Sequence, residues 1–292
     1  MALEGVLLFG AAGQLGHELA SRLPVLGPVT ALTRQDIDLS NLTSLRNLLQ
    51  AQRPAVIVNA AAYTTVDKAE QEPALAQAIN ATAPTVMAEE AARSGAVLVH
   101  YSTDYVFNGQ ATQPYLESDP TDPQSVYGRT KRDGEQAVLH SGARHLLFRS
   151  SWVVGAHGQN FLKTMLRLAQ ERDSLRVVAD QVGVPTAAAW MADTTVLALQ
   201  RDLNGLFHLT PAGQTNWHAY AQYVLQQAQS LGWRLKAGPD QVQAITTADY
   251  PLPAPRPAYS MLESNLLAKA LQLSLPSWQA GVDSVLRALR SA

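Results

Sequence analysis

Short apolar runs alternate with amphipathic stretches through the first half of the chain. Val6 to Phe9 is strand-sized, and Leu15, Leu19 and Leu23 then recur at helical spacing. Val29 to Leu32 predicts a second strand. Leu42, Leu45, Leu48 and Leu49 form a second helical stripe, with Ser40 or Asn41 as its N-cap. Ala55 to Asn59 predicts a buried strand. Residues 72–93 predict an Ala-rich helix, kinked or broken at Pro84. Ala96 to Tyr101 and His145 to Arg149 predict two more strands. This rhythm implies an α/β fold: a doubly wound parallel sheet, helices on both faces, right-handed crossovers.

The second half is less regular. Residues 108–124 carry Pro114, Pro120 and Pro123 among polar residues and predict a long functional loop. Asn160 to Arg172 predicts a helix with Phe161, Met165, Leu168 and Ala169 on one face. Helices are also expected at 190–201, 216–231, 264–272 and 278–290, and strands at Leu175 to Ala179 and Leu206 to Leu209. Pro251, Pro253, Pro255 and Pro257 make 249–258 an extended surface segment.

Composition narrows the function. Of 292 residues, 22 are Lys or Arg and 24 are Asp or Glu, a formal net charge of −2. That balance disfavours a nucleic-acid binder. The absence of cysteine excludes disulfides, thiolate catalysis and Cys-ligated metal. No apolar run approaches the ~20 residues a bilayer requires. Met1 to Val6, with Glu4 and no basic cluster, does not read as a signal peptide, so a cytoplasmic protein is expected.

Between the first strand and the first helix lies Gly10-Ala11-Ala12-Gly13-Gln14-Leu15-Gly16. Glycines there let backbone approach a pyrophosphate, and the helix N-terminus offers free N–H groups. The spacing is G-x-x-G-x-x-G, which in this context predicts a Rossmann-type dinucleotide site at Gly10, Gly13, Gln14, Leu15 and Gly16. After the second strand comes Arg34 rather than an acid, which leans towards the 2′-phosphate of NADPH over NADH. A solvated loop arginine is the alternative. Asp38 and Leu39 follow, to meet the adenine edge or, for Asp38, to start a helix.

Tyr127 and Lys131 stand at i and i+4, one helical turn apart. A free tyrosine has a pKa near about 10. A neighbouring ammonium is expected to lower it and to reach a cofactor ribose. Alone, such a pair also suits an ordinary helix surface. It is joined by a hydroxyl-rich strand end, His100 to Phe107, where Thr103 can donate to a substrate carbonyl or merely bond local backbone.

The glycine loop, Asn59-Ala60-Ala61-Ala62, Ser102 to Phe107, and Tyr127 to Lys131 together resemble the extended short-chain dehydrogenase/reductases. Further stretches make the chain similar to the dTDP-4-dehydrorhamnose reductases within them. They include Val58 to Thr64 with Val66 to Glu70, Arg149 to Val153, Asn160-Phe161, Asp180-Gln181, and Arg256-Pro257. The resemblance runs nearly end to end. It implies reduction machinery at Thr103, Tyr127 and Lys131. It implies NADPH, or NADH in some members, as hydride source for C4 of dTDP-6-deoxy-L-lyxo-4-hexulose. Ala60, Ala61 and Ala62 would line the cofactor. Val66, Asp104, Tyr105, Trp152, Asn160 and Arg256 would meet the sugar nucleotide. Each has a structural alternative: Trp152 as filler, Asp104 as a turn cap, Asn160 as an N-cap, Arg256 paired with a surface acid.

The resemblance also implies a domain division: residues 1–151 for the dinucleotide, with part of 174–215 returning to it, and 152–292 mainly a smaller α/β substrate-binding domain. Some members dimerise through a metal held by acids, matched here by Glu18 and Asp193, but Ala189 stands where another acid is expected. No metal and a monomer are therefore predicted. Two other readings compete. A nucleotide-sugar epimerase or dehydratase is disfavoured in its dehydratase form because Asp104 is followed by Tyr105, not Glu. A non-catalytic NADP-binding subunit would usually lack Tyr127 or Lys131.

Overall fold

The computed structural model describes residues 5–291. Met1 to Glu4, on which the reading of the N-terminus largely rests, and Ala292 lie outside them. Five apolar runs become parallel strands: β1 (Val6–Phe9), β2 (Val29–Leu32), β3 (Val56–Asn59), β4 (Val97–Thr103) and β5 (His145–Ser150). All but β2 are buried along nearly their whole length, as strands covered on both faces must be. The intervening helices are α1 (Gln14–Arg22), α2 (Leu42–Gln52), α3 (Val66–Ala69), α4 (Pro73–Gln77), α5 (Ala83–Ser94) and α6 (Val126–His140). Asn41, not Ser40, caps α2, its side chain accepting from the Ser44 N–H.

The helix expected over 72–93 is not broken at Pro84. Between α4 and α5 the chain widens into a π-helical turn, Ala78–Thr82, and Pro84 sits in the first turn of α5. Proline has no N–H to donate, and the widened turn absorbs the mismatch without ending the helix. The turn turns Asn80 towards its surroundings. Its side chain accepts from the Tyr63 N–H at 2.8 Å and donates to the Tyr63 carbonyl and Thr130 hydroxyl, each at 3.1 Å. The loop after β3 is thereby tied to α6.

Beyond β5 come β6 (Val153–Val154), α7 (Phe161–Glu171), β7 (Leu175–Val178), β8 (Val182–Gly183), β9 (Thr186–Ala187), α8 (Ala188–Gln200) and β10 (Gly205–His208). The chain closes with β11 (Thr215–Asn216), α9 (Trp217–Ser230), β12 (Val242–Ile245), α10 (Asn265–Leu271) and α11 (Trp278–Ser291). The main sheet has the order β10-β5-β4-β3-β1-β2. Thus β10 returns to pair with β5, and α8 packs on α1. Leu175–Val178 does not return; it pairs in parallel with β12. Leu267 and Leu271 of α10 join the core beside β10 and α8. A second core is built from α7, α9 and α11, with Leu162, Leu166, Val224, Leu225, Val282 and Leu286.

The order reverses between β1 and β3, whose carboxyl ends lie in register at Phe9 and Asn59. Such a switch point leaves a crevice beyond the strand ends, where ligands of open α/β sheets bind. The proline segment 249–258 is not wholly a surface feature. Ala254 is buried, and Arg256 docks on Asp67 of α3.

Candidate active site

The glycine loop fills the crevice. Gly10 has φ +82°, and a Cβ there would lie 2.7–2.8 Å from the backbone of Ala60 and Ala61. A Cβ on Gly16 would lie 2.0 Å from the Gly10 carbonyl oxygen. Gly16 therefore sets how closely α1 approaches the loop, and it does not line the cavity. Gly13 is the N-cap of α1 and carries no side chain to occupy the first amides, and the first turn contains no acid. An anion suits this helix start.

A cavity of about 790 Å³ opens there. Gly10, Gly13, Gln14 and Leu15 form one wall, Ala60, Ala61 and Ala62 another, and Arg34, Asp38 and Leu39 the β2 end. Tyr127 and Lys131 stand at the far end. Asp38 starts no helix. Its carboxylate accepts from the Ser40 N–H at 2.9 Å and hydroxyl at 2.8 Å, which holds its pKa low. Lys68, Glu72 and Tyr63 also line the cavity. Their linkage, Lys68 to Glu72 at 2.8 Å and the Tyr63 hydroxyl to Glu72 at 2.7 Å, joins α3 to the end of the loop. Nothing in their sequence spacing separates them from solvated surface residues.

A second cavity of about 360 Å³ adjoins the first. Val66, Thr103, Asp104, Tyr105, Trp152 and Asn160 line it, with Phe161, Trp217 and Tyr220 from the second core. Gln14, Ser102, Tyr127, Ser150, Val153 and Gln159 face both cavities. Trp152 stacks on Trp217 with ring centroids 3.6 Å apart. Gly183 permits this, since a Cβ there would lie 2.6 Å from the Trp152 ring. Asn160 is the N-cap of α7 and also lines the second cavity. Its Oδ1 caps α7 at Lys163 N (3.0 Å), while its Nδ2 donates to Gln14 Oε1 at 2.8 Å and Gly155 O at 2.7 Å. That contact joins the glycine loop to the second half.

Arg256 departs from the expectation. It lines neither cavity. Its guanidinium grips Asp67 bidentately at 2.9 and 2.7 Å and donates to the Ala254 carbonyl. The carboxylate it meets is planar and matches the guanidinium fork, which fixes Arg256 on Asp67.

Helix α6 carries the central pair. The Ser125 side chain caps it at the Gly128 N–H (3.1 Å), and Gly128 lets α6 press on the Tyr105 carbonyl, where a Cβ would lie at 2.3 Å. Tyr127 packs edge-on to Tyr105, centroids 5.6 Å apart. Lys131 is 1% exposed and donates to the Tyr101 carbonyl at 2.6 Å. Burial pulls its ammonium down to about 8, with Glu135 opposing. Burial pushes the Tyr127 phenol up to about 12, with the Thr103 hydroxyl opposing and Asp104 adding to the rise. This corrects the expectation that Lys131 lowers Tyr127: the phenol is raised by desolvation, and the Lys131 ammonium is engaged with the Tyr101 carbonyl instead. Ser102 was missed as a candidate. Its hydroxyl is buried without a partner among the described residues, and the only signal was its place in the hydroxyl run.

Away from the cavities, Arg22 bonds both Glu18 and Asp193. The His17 ring meets that of His157 at a tilt of 31°, centroids 3.4 Å apart, where α1 approaches the loop before Asn160. Among the described residues no group of three or more His, Cys, Asp or Glu side chains is placed to hold a metal ion.

Residues 4–291 match the family described as the RmlD substrate binding domain. The chain belongs to this family. A dTDP-4-dehydrorhamnose reductase of Escherichia coli strain K12 is 45% identical to it, over 97% of each chain. One from Burkholderia thailandensis is 42% identical over 98% of this chain and 99% of its own. Among solved structures, the dTDP-4-dehydrorhamnose reductase of Bacillus anthracis in complex with NADP superposes with a TM-score of 0.92 at 34% identity, covering 99% of this chain and 100% of its own. A UDP-glucose 4-epimerase of Thermus thermophilus in complex with NAD shares the fold at 20% identity and a TM-score of 0.81, covering 99% of each chain. The Rossmann-type α/β architecture expected from the strand rhythm is thus that of the family. No helix among the described residues is long and apolar enough to cross a membrane.

Proposed function

We propose that this protein is an NADPH-dependent oxidoreductase that reduces the C4 keto group of dTDP-4-dehydro-L-rhamnose to give dTDP-L-rhamnose. The observation that carries the reading is the position of Tyr127, whose side chain faces both cavities, with Lys131 in the first and Thr103 in the second. A reducing cofactor and a ketone can meet only at such a junction.

The residues fit a dinucleotide. The glycine cradle would be filled by any Cβ at Gly10, and the uncapped start of α1 suits a pyrophosphate. Gly13, Gln14 and Leu15 would hold it, Arg34 the 2′-phosphate, and Ala60, Ala61 and Ala62 the passing rings. When bound, NADPH supplies a hydride. Tyr127 then has one task, to give its proton to the oxygen of the nascent alcohol. Its raised pKa keeps it protonated at neutral pH, as a donor must be. Lys131 would hold a ribose hydroxyl and tune Tyr127 as charge develops. Thr103 would bond the ketone oxygen. Val66, Asp104, Tyr105, Trp152 and Asn160 would close around the sugar. Arg256 would act at one remove, by holding α3 and Val66 through Asp67.

The Arg22 contacts support a monomer without a bridging metal, because a guanidinium already satisfies Glu18 and Asp193. Equilibrium sedimentation showing an EDTA-sensitive dimer would refute that. The cytoplasm is the compartment we assign, the setting that soluble nucleotide-sugar chemistry with NADPH requires. The enzymatic test is loss of NADPH absorbance with the dTDP-4-keto sugar. No loss, with the dTDP-sugar still bound, would sink the reductase reading.

A further inference from the structure

Asp104 is 2% exposed, and one of its oxygens, Oδ2, has no hydrogen-bond partner among the described residues. The other, Oδ1, accepts from the Thr103 hydroxyl at 2.9 Å. The same hydroxyl oxygen accepts from the Tyr105 N–H at 3.2 Å. A hydroxyl has one proton and two lone pairs. An ionised carboxylate only accepts, so with Asp104 charged the single Thr103 proton must point at Asp104. Thr103 then offers the cavity a lone pair. A lone pair suits the Tyr127 hydroxyl but repels a ketone oxygen, which needs donors. If Asp104 carries a proton on Oδ1, that oxygen donates to Thr103, and the Thr103 proton is released towards the cavity.

We propose that Asp104 is a positioning residue whose carboxyl proton sets the direction of the Thr103 hydroxyl, and that the arrangement competent for ketone reduction has Asp104 protonated. This rests on the reduction reading above. No bond is made or broken at Asp104; its proton is not consumed. The surroundings shift Asp104 towards the neutral acid. Tyr127 faces it from α6, Tyr105 from its own turn, and Ser260 from the C-terminal loop, all uncharged at neutral pH. Arg256 and Asp67, the charges felt by the neighbouring Tyr105, are paired with one another. Burial accordingly raises Asp104 to about 6, with Ser260 and Thr103 opposing.

The test compares wild type with Asp104→Asn, whose amide donates to Thr103 at every pH. The profile of kcat/KM from about pH 5 to about pH 9 reports ionisations of the free enzyme. The wild type should lose about tenfold per pH unit above a midpoint near about 6. Asp104→Asn should lack that limb, its kcat/KM staying flat between about pH 5 and about pH 7 whatever its absolute value. A limb nearer 8, shared by both, belongs to Lys131. Infrared titration of wild type without cofactor gives the second measurement. A carboxylic-acid C=O band should vanish through the same midpoint and be absent from Asp104→Asn. Superimposable pH profiles, or no band assignable to Asp104, would overturn the proposal. Failure of wild type to oxidise NADPH would instead overturn the reductase reading, while the infrared result still decides whether Asp104 holds a proton.

Discussion

Replacing Lys131 by Met should stabilise the protein while disabling it. The ammonium is fully buried, and its pKa falls from the ordinary 10.5 to about 8. That gap corresponds to about 3 kcal/mol of penalty for the charged form at neutral pH. Methionine removes the penalty but also the bond to the Tyr101 carbonyl, worth about 1 kcal/mol. A net gain of about 2 kcal/mol remains. For a chain of 292 residues this raises Tm by about 3 °C. The sign depends on pH. Below the folded-state value of about 8 both states are protonated, and the wild type carries the full penalty. Between 8 and 10.5 the folded lysine loses its proton while the unfolded one keeps it, so wild-type stability rises and the advantage of the variant shrinks. Thermal melts of both proteins without cofactor, at about pH 7 and about pH 10, would read this. A variant less stable by the same amount at both pH values would refute the claim that burial governs Lys131. Turnover and NADPH affinity should both fall, which is why the destabilising group is kept.

Other expectations are simpler. Tyr127→Phe should lower kcat by about 10²–10⁴-fold and leave the NADPH Kd within about twofold, read by stopped-flow and fluorescence titration. Near-wild-type kcat would mean that another group donates the proton. Arg34→Ala should weaken NADPH about tenfold more than NADH, and equal losses would detach Arg34 from the 2′-phosphate. Gly16→Ala forces a Cβ to 2.0 Å from the Gly10 carbonyl oxygen, so NADPH affinity should collapse even though residue 16 does not line the cavity. Calorimetric titration would show it, and unchanged affinity would contradict the packing.

The central sheet was legible because buried parallel strands write themselves as unbroken apolar runs, as in Val6 to Phe9 and Val56 to Asn59. β12 was not, since Gln243 and Ala244 face solvent and leave no run. Of the kink or break expected at Pro84, the break does not occur: a proline signals only a missing N–H, and the π-helical turn before it is held by contacts of Asn80 with Tyr63 and Thr130. The glycine loop, Tyr127, Lys131 and Thr103 stood out through spacing, and the structure brings them to one crevice. The Arg256–Asp67 pair and the Gln14–Asn160 bond span 189 and 146 residues, beyond any local pattern. The pKa order failed for the same reason. Spacing shows that an ammonium is near, but not that Lys131 is 1% exposed.

The return of β10 has a consequence for synthesis on the ribosome. When β1 to β5 have emerged, the His145–Ser150 strand lies at an open edge, for its neighbour begins only at Gly205. The leucines of α10 that cover this side arrive later still, at Leu267 and Leu271. An apolar strand edge left unpaired is a template for another chain. The nascent cofactor half must therefore wait for most of the polypeptide before its sheet is sealed, and a truncation anywhere before Gly205 should yield an aggregating fragment rather than a free-standing dinucleotide-binding unit.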